Sequence, residues 1–327
     1  MFMKNKILYC VFIALIVLSL FGCSKENTSE YISITNTYEN INSLKTDVLL
    51  YDFQNNNTRK IMSVPYTSQY PLTLYNTEND AIYFTALSKE KKGDELFALN
   101  CKTNKSRQLT NSFFAINNIF DMGNQLFIAG VKRGGDTLVK PYLYNKGDKM
   151  IKELYVKDDF NICCASYNAE TYDLFIAGYL SQAEEAAFDN QDENGDSKGI
   201  DNYIFKLYGE TFKRVYLKKN CYIKSIVSNR DNILIKWGST YFDNNEKLSV
   251  IKDNKEKFFS ISKKETKRMS DDSLVYYNSD NLYFINSIDR KRKEKYELCC
   301  YSIKDKRSTV IYRARNNSAI NNAQYIK

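Results

Sequence analysis

The 327-residue chain contains no histidine. This removes Ser-His-Asp and Cys-His nucleophiles, His general bases and His-ligated zinc from consideration. Catalysis would have to rest on carboxylates, Tyr, Lys or Cys. The adjacent pair Asp158 and Asp159 is the candidate acid and base of a glycosidase-like reaction, which uses two carboxyl groups flanking the scissile bond. Spacing argues against it, because neighbours in a chain rarely face each other. Six cysteines follow the N-terminal region: Cys101, Cys163, Cys164, Cys221, Cys299 and Cys300. Four of them form two vicinal pairs inside apolar runs (NICCASY and YELCCYS). Paired CxxC ligand spacing is missing. Adjacent strand residues point to opposite faces, so the cysteines are expected to pack as small hydrophobes.

A second candidate lies in the acidic stretch Ser181–Asp201. Registered on Gly195, oxygen-bearing side chains fall at loop positions 1, 3, 5 and 12, namely Asn190, Asp192, Asn194 and Asp201. This resembles an EF-hand-like calcium loop, in which alternate oxygens converge on the ion and the glycine permits the sharp turn. The resemblance implies calcium as a ligand. Asn at position 1 and the shorter Asp at position 12 depart from the EF-hand pattern and lower the ligand charge and reach.

The N-terminus carries a third signal. Lys4 and Lys6 precede an apolar stretch from Ile7 to Phe21, which ends in Leu20-Phe21-Gly22-Cys23. About 15 apolar residues suit a signal peptide and fall short of the roughly 20 that span a bilayer. The terminal four residues resemble the lipobox of bacterial lipoproteins, although Phe21 replaces the usual small residue. The resemblance implies that residues 1–22 are cleaved and that Cys23 carries acyl chains such as palmitate. It places the protein on the extracytoplasmic face of the cell membrane, with residues 23–30 as a polar tether. Each buried CH₂ contributes about 0.8 kcal/mol, so two or more chains hold far better than one. Seven tether residues reach at most about 25 Å.

These groups must be positioned by strands. The chain has 26 Tyr and 19 Phe but only 3 Pro and 12 Gly, a composition that favours β-structure with a large core. Without the leader the charge is +6, from 45 basic and 39 acidic residues. That mild excess permits attraction to anionic lipid or wall polymer and is no nucleic-acid signature. One unit recurs: an apolar run, a Lys/Asn/Asp/Gly turn, and another apolar run. It begins at residues 47, 94, 140, 202, 246 and 295. Each reads as a hairpin with a polar turn. A second pair of runs sits between successive hairpins, as in PLTLYNTENDAIYFTAL (71–87) and NNIFDMGNQLFIAGV (117–131). Four strands in 40–50 residues is the size of a β-propeller blade, and radial packing buries both faces of each sheet.

The segment Glu95–Asn111, with its Arg107-Gln-Leu-Thr110 ending, resembles the repeat of TolB-type six-bladed propellers. The aromatic-Ser-Pro-Asp-Gly turn of that family is replaced by NAETYD and NRDN, and no counterpart of TolB's preceding α/β domain is expected. The expected fold is thus all-β, a six-bladed propeller of four-stranded blades over residues 31–327. Tyr31–Tyr38 lacks an inner partner strand, so Ala319–Ile326 is expected to pair with it and complete the first blade, because an open ring leaves unpaired edges.

The blade-to-blade connections are expected to line the channel mouth. They carry Tyr66, Tyr70, Phe113, Phe114, Asp158, Asp159, Lys218, Lys263, Arg313 and Arg315, aromatic and charged groups suited to a ligand. The basic clusters at Lys89–Lys92, Lys132-Arg133 and Arg290–Lys293 are expected on that same face. The functional expectation is a non-enzymatic lipoprotein held to the membrane through Cys23, whose propeller binds a protein, peptide or cell-wall polymer. The alternative is a carboxylate-based hydrolase or lyase acting on extracellular saccharide. A tight carboxylate cluster at the channel would favour the enzyme, and a channel of aliphatic, Ser and Thr residues would favour the scaffold.

Overall fold

The computed structural model describes residues 29–40, 43–67, 69–90, 92–191, 197–230, 232–243, 245–290 and 293–327. The leader and Cys23 lie outside them. Strands β1 (Tyr31–Asn40), β2 (Ser43–Asp52) and β3 (Asn57–Pro65) pair in sequence order. So do β4 (Thr73–Asn76), β5 (Ala81–Leu87), β6 (Asp94–Asn100) and β7 (Lys105–Gln108), then β8 (Phe113–Asp121), β9 (Gln125–Lys132), β10 (Lys140–Asn145) and β11 (Ile151–Glu153). A seven-stranded sheet follows: β12 (Phe160–Asn168), β13 (Asp173–Leu180), β14 (Ile200–Tyr208), β15 (Thr211–Asn229), β16 (Asn232–Gly238), β17 (Lys247–Lys252) and β18 (Lys255–Phe258). The last sheet holds β19 (Met269–Tyr277), β20 (Asn281–Arg290), β21 (Lys293–Ser302) and β22 (Arg307–Arg313). Two short helices interrupt the strands, α1 (Ser181–Asp189) and α2 (Lys263–Thr266).

The final strand, β23 (Ser318–Ile326), returns to the first sheet and pairs antiparallel with β1. Tyr31 faces Ile326 and Thr37 faces Ala319, so the two segments expected to pair do so.

The seven-stranded sheet is two four-strand units sharing β15. Its first part pairs with β14 and its second part, from Tyr222, with β16. Asn220, between them, has φ 50°. A left-handed residue within a strand redirects it, and Asn tolerates that conformation better than most side chains.

Burial explains why the middle strands read as continuous apolar runs. Leu126 and Ile128 of β9 pack toward the β4–β7 sheet, while Phe127 and Ala129 pack toward β12 and β13. Strand alternation sends successive side chains into two different interfaces. The same alternation recurs in β13, where Leu174 and Ile176 face one neighbour and Phe175 and Ala177 the other. Each four-strand unit thus packs on the next. The order returns to its start, because Val275, Tyr283 and Leu298 of the last sheet share a cluster with Ile32, Leu49 and Ile320 of the first. Fully burying one such large apolar side chain contributes roughly 1.5–3 kcal/mol. The outermost strands, such as β3 and β22, remain largely exposed.

Local details follow the same packing. In the last hairpin Cys299 and Cys300 point into different interfaces, as alternation requires. Cys163 and Cys164 instead meet the same cluster, because a bulge between Ile162 and Cys164 breaks the alternation. Cys101, Cys163, Cys221, Cys299 and Cys300 are free thiols. Burial pushes Cys221 and Cys299 up to about 12, which suppresses thiolate chemistry. Beside the bulge, a Cβ on Gly178 would lie 2.0 Å from the Asn161 carbonyl oxygen, so only glycine admits this approach of two backbones.

Candidate functional site

One strand from each four-strand unit lies innermost: β4, β8, β12, the second half of β15, β19 and β23. Each of these packs on the next, and β23 packs on β4. Between them is a cavity of about 380 Å³ to which all six contribute. Its walls include Leu74, Asn118, Ala165, Ser166, Ile226, Leu274 and Asn322. Around it stand Glu78, Asp121, Glu170, Tyr172 and Lys327, which lie at the C-terminal ends of the inner strands or in the turns that follow.

Two carboxylates of this cavity, Asp121 and Glu170, are held by separate partners. Asp121 accepts hydrogen bonds from Asn76 Nδ2 at 2.6 Å and from Lys146 Nζ at 2.6 Å. Glu170 accepts one from the Tyr276 hydroxyl at 3.0 Å. Burial, reinforced by that bond to Glu170, pushes the Tyr276 phenol up to about 12. Tyr75 also reaches about 12, through burial and its 2.8 Å bond to Asp80. Both phenols stay neutral donors at physiological pH. Small polar side chains join neighbouring units nearby: Thr35 Oγ1 and Thr73 Oγ1 are 2.8 Å apart, and Ser228 N donates to Ser166 Oγ at 3.2 Å. An aliphatic, Ser and Asn wall with separately engaged carboxylates suits binding better than paired acid–base chemistry.

None of the ten residues expected at the channel mouth lines this cavity. They lie at the opposite ends of the inner strands, because antiparallel order brings the connections between units to the other end. Tyr66 is half-buried, and Tyr70, Phe114, Lys263 and Arg315 are exposed. Phe113 is a core residue, packed edge-on against Tyr142 with centroids 5.1 Å apart. Asp158 is exposed. Asp159 turns to accept from the Gln182 N–H at 2.8 Å and so caps α1. Lys218 is buried, 2.6 Å from Glu256 and 3.6 Å from the centroid of the Trp237 ring. Arg313 pairs with Glu297 at 2.8 Å. Of the basic clusters, Arg133 turns inward to the fully buried Glu95 at 2.8 Å.

The acidic stretch begins as helix rather than loop. In α1 no residue is fully buried, and Asn190 closes it by donating from Nδ2 to the Ala186 carbonyl at 2.7 Å. Asp201 lies half-buried on β14. Asp192, Asn194 and Gly195 fall outside the described residues.

The residues of the cavity that the sequence reading passed over are Glu78, Asp121, Glu170 and Tyr172. Their signal was the turn between the first two strands of each unit, present as NTEND, DMGN and NAETYD. Strand direction brings all these turns to one end.

No protein-family model and no curated protein matches the sequence. Among solved structures, TolB from Acinetobacter baumannii superposes with a TM-score of 0.56 at 12% identity, over 95% of this chain and 69% of that one. The chain has a TolB-like β-propeller fold. In propeller terms, the cavity is the axial channel, open at the end where the first and second strands of each blade turn.

Proposed function

We propose that this protein is a lipid-anchored, extracytoplasmic binding lipoprotein built on a six-bladed propeller. The six inner strands in cyclic contact support the blade count, with the seven-stranded sheet read as two blades sharing β15. The lipobox at Cys23 supports the anchor. The observation that carries the binding reading is the axial cavity, where Asp121 and Glu170 are engaged by different partners. Exposed Tyr172 and the polar groups around it offer a contact surface for a protein, peptide or wall polymer.

Two measurements test this. Cys23→Ser should move the processed protein from the detergent phase to the aqueous phase. Persistence in the detergent phase with a cleaved N-terminus, read by mass spectrometry, would refute lipidation. For binding, the native protein is used as bait on solubilised membranes beside a Tyr172→Ala, Glu170→Gln variant. A partner retained by the native bait and lost by the variant supports the site. Equal recovery by both places binding elsewhere.

A further inference from the structure

We infer that the cavity end of the propeller faces the membrane and that the lysine-bearing outer turns of three blades rest on anionic lipid headgroups. This rests on lipidation at Cys23. The first described strand decides the orientation. Tyr31 pairs with Ile326, and Ile326 and Lys327 line the cavity. The Glu30 carbonyl accepts from Phe53 N–H at 3.4 Å, so the chain enters the fold at the turn end of the first blade. Glu30 is the seventh residue after Cys23, a reach of about 25 Å at most. A lipid on Cys23 therefore holds the cavity end close to the bilayer. The end carrying α1 and the connections between blades points outward.

Three outer turns of this end are basic. The turns between third and fourth strands lie at the cavity end and expose Lys102, Lys105, Lys252, Lys255, Lys304 and Lys306. Acidic residues interrupt them, as at Asp253 and Asp305, and Glu78, Asp148, Glu210 and Asp280 are exposed on other turns of the same end, so the basic contact is confined to these three blades. Basic groups within a Debye length of about 8 Å are attracted to an anionic surface. A ligand of the cavity then arrives along the membrane surface rather than from the open medium.

The test uses the full lipidated protein in vesicles of phosphatidylcholine, with and without phosphatidylglycerol. A fluorophore is placed through Tyr172→p-azidophenylalanine at the cavity end or Tyr155→p-azidophenylalanine at the other end; both tyrosines are exposed. Energy transfer to a headgroup-bound acceptor reads the distance. About six strand residues separate the two levels, roughly 20 Å. Transfer should be markedly stronger from position 172. Equal transfer, or stronger transfer from 155, overturns the orientation. Phosphatidylglycerol should strengthen transfer from 172, and the combined Lys102→Gln, Lys252→Gln, Lys304→Gln variant should lose that gain. A gain that survives the triple variant overturns the headgroup contact. If the native protein does not float with vesicles at all, the anchor reading fails and takes the orientation with it. That outcome is distinct from a floating protein with the wrong end inward.

Discussion

Tyr325 of the last strand lies face to face with Tyr276 of the last sheet, ring centroids 4.0 Å apart and planes 9° apart. Tyr325 belongs to β23, which pairs with the first hairpin, and Tyr276 to β19. The stack therefore joins the last sheet to the first. Phe53, from the first sheet, closes edge-on against both rings at 6.0 and 6.1 Å.

Tyr325→Ala removes this joint. The loss of a buried aromatic typically costs about 3–5 kcal/mol, so urea unfolding should shift by that order, while Tyr325→Phe should stay near native. Deleting residues 316–327 should go further and lower the single cooperative melt of the whole chain, because it unpairs β1 along its length. A truncated protein that melts at the native temperature would contradict the closing role of β23.

Lys236 is fully buried, with Glu246 at 2.5 Å and Asp271 at 3.2 Å. Removing one partner of a buried pair leaves a charge without compensation, at about 3–5 kcal/mol. Lys236→Met is expected to destabilise by that order. Adding Glu246→Leu should restore a large part of the loss, since it removes the more buried carboxylate, while Asp271 is exposed and keeps Lys224 at 3.6 Å. A double variant no more stable than the single one would show that the pair's geometry, rather than its charge, matters.

Burial pushes the Glu95 carboxyl above its usual range, against hydrogen bonds from Thr110 and the Phe113 N–H and the charge of Arg133. A raised folded value means that the folded state binds the proton more tightly than the unfolded chain. The resulting stability is fully present below the unfolded value and is lost as pH rises through the folded one. Native protein compared with Glu95→Gln by urea melts should therefore lose relative stability as pH rises above the ordinary glutamate range. A difference that grows with pH would reverse the assignment.

Calcium at Asn190, Asp192, Asn194 and Asp201 remains a proposal with a direct readout. A ligand that binds only the folded state raises apparent stability by RT ln(1 + [L]/Kd). Melting should rise with millimolar calcium, return with chelator, and lose the response in Asp192→Ala. No shift, with titration calorimetry also silent, removes calcium from that segment.

Much of the fold could be read along the chain because its signals are local. The polar turns of LNCKTNKSRQ and YSIKDKRST work within a few residues: Asn100 Oδ1 accepts from Thr103 N–H, and Ser302 Oγ from Asp305 N–H. Asn104 and Lys306 take the left-handed conformation there. Apolar runs between such turns fix strand length, and the repeat implies units that bury both faces against copies of themselves. Even the pairing of Tyr31–Tyr38 with the Ala319–Ile326 segment follows from a missing strand at one end and a surplus strand at the other.

What only the tertiary structure decided depends on residues distant in sequence. Lys218 and Arg133 read as solvated charges until Glu256 and Glu95 are brought beside them. Phe113 reads as a loop aromatic until Tyr142 receives its ring. A bulge at Cys163 reverses one residue of alternation, and no local pattern announces it. The cavity is the largest such case. Glu78, Asp121 and Glu170 stand on three different blades, and composition cannot say which end of the inner strands they surround. That choice is made by strand direction, which is a property of the assembled sheets and of no single segment.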